Sequence, residues 1–127
     1  MFFRYNWPAV IWALFILLLC SFPGDAIPVV NWLEYISFDK LVHASIFFIQ
    51  QILLMRGFLL QKNFPVLRQH YILITLSLSV GYGASLELMQ RYIFLSRSGD
   101  IADFVANCAG CLLALPLFNR LKNKIII

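Results

Sequence analysis

Four apolar stretches divide the chain: Trp7 to Phe22, Leu41 to Leu60, Tyr71 to about Leu95, and Ile101 to Phe118. A membrane-crossing helix takes about 20 apolar residues, so four spans joined by short loops nearly exhaust the chain. The pattern predicts an all-α integral membrane four-helix bundle, a single domain over residues 1–127. The first stretch is short, and Phe2, Phe3 and Tyr5 extend it into the interface. Pro8 suits a first helical turn, where its missing N–H is not needed. A signal peptide is the rival reading, with Arg4 as its charged start. Phe22-Pro23-Gly24-Asp25-Ala26 offers no small-x-small cleavage site, so an uncleaved first helix is expected.

Composition agrees. Hydrophobic residues make up 61% of the chain and charged ones 13%, about half of what soluble domains carry; mean hydropathy is +0.82. This excludes a disordered chain, a nucleic-acid-binding domain and an ordinary soluble enzyme. The net charge of +4 hides an uneven distribution. Arg4, Arg56, Lys62, Arg68, Arg120, Lys122 and Lys124 would all lie on one side with no acid among them. Lys40, Arg91 and Arg97 share the other side with Asp25, Glu34, Asp39, Glu87, Asp100 and Asp103. Positive charge marks the cytoplasmic side, so both termini are expected there. The loop from Pro23 to Phe38, with Trp32, Tyr35 and Phe38 among acids, suits a segment lying in the headgroup region.

That topology brings three polar clusters to the outer side. Asp39, Lys40 and His43 open the second helix. Glu87, Gln90 and Arg91 end the third. Arg97, Asp100, Asp103 and Asn107 lead into the fourth. Asp39 and His43 are four apart and share a face that Gln50 continues; Asp100, Asp103 and Asn107 also share one face. Ionisable groups at membrane depth are expensive and face protein or water, so a polar pocket narrowing into the bundle is expected. Each cluster also has a plain reading. Asp100 and Asp103 can serve as a helix cap and first-turn acid. Glu87 and Arg91 can be an i,i+4 ion pair. Asp39 can cap its helix, with His43 an interfacial histidine. Convergence of all three favours a shared site.

Two stripes of small residues, Ser77/Gly81/Ser85 and Ala106/Gly110/Ala114, are expected to pack the third helix on the fourth. Cys108-Ala-Gly-Cys111 has redox-motif spacing, but within an apolar span amid Ala and Gly these cysteines read as packing residues. No inverted repeat supports a transporter, and Gln50 and Gln51 are the only polar candidates toward the cytoplasmic half.

Asp39-Lys40-Leu41-Val42-His43, then Gly83-Ala84-Ser85-Leu86-Glu87-Leu88-Met89-Gln90, then Arg97-Ser98-Gly99-Asp100 through Asp103 and Asn107 to Gly110 resemble the VanZ-like family in motif and order. The resemblance runs from about Trp12 to Leu117. Cys108 stands where a small residue such as threonine is expected. The resemblance implies a small helical protein of the bacterial cytoplasmic membrane, related to resistance to the glycopeptide antibiotic teicoplanin. By it, Asp39, Lys40, His43, Glu87, Gln90, Arg97, Asp100, Asp103 and Asn107 form the ligand-binding set. The expected partner is a membrane lipid or lipid-linked envelope molecule, not a nucleic acid, and a homo-oligomer is compatible with the sequence. Two functions compete. One is binding or modulation of an envelope lipid, lipid-linked headgroup or glycopeptide. The other is membrane-embedded hydrolase or transferase chemistry with His43 and Asp39 or Glu87 as acid and base, or with Asp39, His43, Glu87 and Asp103 around a divalent metal. The sequence leaves the cofactor, including a metal, unknown. A purely structural subunit is the third possibility.

Overall fold

In the computed structural model the described backbone comprises residues 2–21, 38–92 and 101–125. It forms helices α1 (Phe2–Ser21), α2 (Phe38–Leu59), α3 (Pro65–Gln69), α4 (Tyr71–Tyr92) and α5 (Ile101–Ile125). Three segments, Leu41–Leu59, Tyr71–Tyr92 and Asp103–Lys124, are long and apolar enough to cross a membrane, and Phe3–Leu19 is a shorter apolar helix. Among the described residues the regular secondary structure is all helical, and the three long apolar helices mark an integral membrane protein. The limits differ from the sequence reading in three ways. α1 starts at Phe2, which puts Pro8 inside the helix and not in its first turn. α5 continues to Ile125 with Pro116 inside it. The short α3 interrupts the connection between α2 and α4, with Pro65 at its start. The expected interfacial loop lies outside the described residues.

The bundle is built inside out. Phe3, Trp7, Ile11, Leu14 and Leu18 of α1, Leu73 and Leu88 of α4, and Val105, Leu112 and Leu113 of α5 are exposed, as lipid-facing residues should be. Ten of the described residues are buried and polar against nine buried and hydrophobic. Polar groups are therefore sequestered inside the bundle. α2 is the central helix. It packs against α1, α4 and, most extensively, α5, while the backbones of α1 and α5 do not come close to one another among the described residues.

Two glycines make this packing possible. At Gly110 the α5 backbone lies so close to α2 that an added Cβ would fall 2.0 Å from the carbonyl oxygen of Ala44. At Gly57 an added Cβ would fall 2.1 Å from Asn6 Oδ1 and 2.9 Å from the carbonyl oxygen of Tyr5 on α1. The four long helices each give one residue to a buried cluster of Ile16, Phe47, Leu86 and Cys111. A second cluster, Met55, Ala114 and Phe118, lies nearer the Tyr71 end, where the Tyr71 and Phe118 rings are 6.0 Å apart. Trp12 Nε1 donates to the carbonyl oxygen of Ile46 at 2.9 Å, and the Tyr82 hydroxyl donates to that of Ala13. These bonds tie α1 to α2 and α4.

The expected packing of α4 is corrected. Its buried residues are Thr75, Ser79, Gly83, Leu86 and Gln90. Ser77, Gly81 and Ser85 are exposed, and a Cβ at Gly81 would meet nothing within 4 Å. Ser77, Gly81 and Ser85 are two residues out of phase with Thr75, Ser79 and Gly83, about 200° around the helix, so only one of these rows can face inward. The outward serines stay satisfied in lipid by donating to the carbonyl four residues back, Ser77 to Leu73 and Ser85 to Gly81, each at 2.8 Å. The Gly110 stripe does pack inward, but its closest approach is to α2 at Ala44.

Candidate functional site

One end of the bundle gathers the polar groups of three helices. His43 is set one turn into α2 and is buried. Asp103 and Asn107, four apart on α5, are buried facing it. The ring of His43 is held on both sides. Its Nδ1 lies 3.0 Å from Asn107 Oδ1, and its Nε2 lies 3.7 Å from Asp103 Oδ2. An amide oxygen only accepts, so Nδ1 carries the hydrogen in this pairing. Nε2 then faces the Asp103 carboxylate. Asn107 thus fixes the tautomer, the role a positioning partner plays for a catalytic or ligand-binding histidine.

α4 completes the wall. Gly83 has no side chain to keep α4 away, and a Cβ there would sit 3.4 Å from Asn107 Nδ2. One turn further toward the same end is Glu87, half-buried, with its Oε1 sheltered from solvent. Gln90, also toward that end, is buried. Because α4 runs opposite to α5, Glu87 stands about level with Asp103. Sequence spacing brings the same groups together, although through Gly83 and not Gly81.

Of the remaining predicted residues, Asp39 and Lys40 are in the first turn of α2, and their side chains lie outside the described residues, as do Arg97 and Asp100 altogether. Arg91 is exposed. Among the described residues no three His, Cys, Asp or Glu side chains come close enough to hold a metal ion. Cys111 is buried in the four-helix cluster with its Sγ 3.9 Å from the carbonyl oxygen of Phe47, and Cys108 is half-buried; both are free thiols.

The polar interior does not end at this site. Below it, Gln50 is buried, and Gln51 forms a clamp between α2 and α4: its Nε2 donates to Thr75 Oγ1 at 3.0 Å, and its Oε1 accepts from Ser79 at 2.7 Å. Thr75 in turn donates to the carbonyl oxygen of Tyr71 at 2.6 Å. Asn6 and Gln61 are buried near the opposite end. Sequence reading found Gln50 and Gln51 but missed Thr75, Ser79, Asn6 and Gln61. The available signal was that Thr75 and Ser79 share the spacing of the outward serines but align with Gly83 and Gln90.

Comparison with protein-family models, curated proteins and solved structures finds no match. The resemblance to VanZ-like proteins therefore rests on the quoted motifs.

Proposed function

We propose that this protein is a VanZ-like membrane protein of the bacterial cell envelope that binds an envelope lipid, a lipid-linked headgroup or a glycopeptide at the His43 end of the bundle. The observation that carries this reading is the His43–Asn107–Asp103 arrangement. Three polar side chains from α2 and α5 are buried together where α4 also brings Glu87 and Gln90. His43 and Asp103 are buried at the ends of their apolar spans, where withdrawing polar groups from water is costly unless they are paired, and helix packing alone is served by Gly110 and Ala44. The charge distribution supports an outward-facing site, because the seven cations unaccompanied by acids fall at the opposite end. Both termini then face the cytoplasm. By their places in the sequence Lys40 and Arg97 would meet an anionic headgroup, Arg through forked hydrogen bonds, and Asn107 and Gln90 are suited to hydroxyl or amide groups.

The test is ligand retention by the purified full chain. Deleting the gene should change teicoplanin susceptibility or the envelope lipids that accumulate. Asp103→Asn and His43→Ala should reduce ligand retention at least tenfold without lowering protein abundance. Abundance and retention falling together would point to the structural-subunit reading.

The held tautomer of His43 favours one second reading, a membrane-embedded hydrolase or transferase. Nε2 would take a proton from a water or lipid hydroxyl, and Asp103 would stabilise the imidazolium. Here Asp103 takes the part that sequence spacing suggests for Asp39 or Glu87. Turnover of lipid-linked envelope substrates by the wild type, lost in His43→Ala and retained in Gly81→Ala, would establish it; absence of turnover with intact binding would reject it.

A further inference from the structure

Gln50 is 4% exposed, and its Oε1 is fully buried with no hydrogen-bond donor among the described residues. It lies midway along the apolar span Leu41–Leu59, seven residues below His43 and on the same helix face, about 10 Å deeper. A buried amide oxygen left without a donor is costly, and no lipid tail can offset that. Ser77, Ser85 and Ser45 show the alternative: each polar side chain that faces outward satisfies itself on its own helix. Gln51, the next residue, has partners for both its amide oxygen and its nitrogen.

We infer that Gln50, which lies beneath the His43 site with the buried Phe47 ring between them on the same helix face, accepts a hydrogen bond from the hydroxyl of an uncharged lipid alcohol whose entry displaces that ring. The charge pattern selects the donor. No charged residue lies between His43 and Arg56 on α2, between Tyr71 and Glu87 on α4, or between Asp103 and Arg120 on α5, and α1 has none after Arg4. An ammonium or phosphate at this depth would be desolvated without a counter-charge, and a single amide oxygen cannot replace a cation's hydration shell. A neutral hydroxyl carried on a hydrocarbon chain meets both conditions, whereas a bulky soluble glycopeptide cannot reach this depth. The inference rests on the binding reading above and narrows its ligand to an amphiphile that enters the bundle.

Oleyl alcohol and oleyl methyl ether have the same chain and differ in the O–H donor, so they separate the hydrogen bond from apolar partitioning. Native mass spectrometry of the full chain in detergent, titrated with each, should show the alcohol retained about tenfold over the ether. Gln50→Leu and Gln50→Met should bring that ratio to about one and melt at a higher temperature than the wild type, because the orphaned amide is gone. Equal retention of alcohol and ether by the wild type, a preference that survives both variants, or a lowered melting temperature in both overturns the assignment of Gln50. His43→Ala should lower retention of both compounds. Retention indifferent to His43→Ala overturns the site reading beneath, and retention of neither compound overturns both.

Discussion

The Gln51 amide is bonded at both ends to one facing helix, so its contribution can be separated from that of the ligand site. Gln51→Leu removes the acceptor for Ser79 and a donor to Thr75, yet Thr75 keeps its bond to the Tyr71 carbonyl. Interhelical hydrogen bonds in membranes average about 0.6 kcal/mol, because alternative partners exist within the helix. We expect Gln51→Leu to destabilise by about 1 kcal/mol and a Gln51→Leu/Ser79→Ala cycle to couple by about 0.6 kcal/mol, measured by unfolding in mixed micelles. At the site, Asn107→Leu should matter differently. It leaves Asp103 in place but frees the His43 ring to change tautomer, so ligand retention should fall several-fold with His43 and Asp103 intact. Residue identity alone marked His43, Asp103 and Asn107, since such side chains are scarce in apolar segments. It could not show that His43 would be held by Asn107 and Asp103 in particular.

At the scale of elements, the glycines distinguish the faces of the helices. Gly110→Ala places a methyl group against the Ala44 carbonyl, a backbone atom that cannot turn aside. It should force α2 and α5 apart, cost more than about 3 kcal/mol, and appear as loss of folded protein in detergent. Gly81→Ala fills open space at an exposed helical position and should be neutral or stabilising by up to about 1 kcal/mol. A reversed ranking in a thermal-melt comparison would restore the rejected packing of α4. The stripe at Ser77, Gly81 and Ser85 misled because small residues at spacing four occur on both faces of this helix. The inward face is distinguished by what continues it, Gln90 at one end and the partners of Gln51 at the other. The existence of each helix was legible from its apolar run, since main-chain hydrogen bonds must close within the segment in lipid.

For the molecule as a whole, the inversion of polarity governs behaviour. Exposed apolar residues ring the bundle and about half of its buried residues are polar, so transfer to water should cause aggregation and not refolding. Orientation is open to a direct check. Fluorescent-protein fusions at either terminus should fluoresce in the cytoplasm, and a cysteine introduced at an exposed position near Tyr92 should react with an impermeant thiol reagent applied from outside. The opposite pattern would place the His43 site on the cytoplasmic side and exclude an extracytoplasmic ligand. Apolar runs along the chain are enough to set three helices of membrane-spanning length and a shorter one, to show how its charges are distributed, and to mark which scarce polar residues are candidates for function. These follow from local composition and the cost of burying charge. Only the tertiary structure decided that α2 sits at the centre with α5 against it, that Gly83 and not Gly81 faces inward, and that Gln51 is satisfied while its neighbour Gln50 is not. Those outcomes depend on helix rotation, which a one-dimensional spacing leaves ambiguous by about half a turn and which close backbone packing at Gly57 and Gly110 resolves.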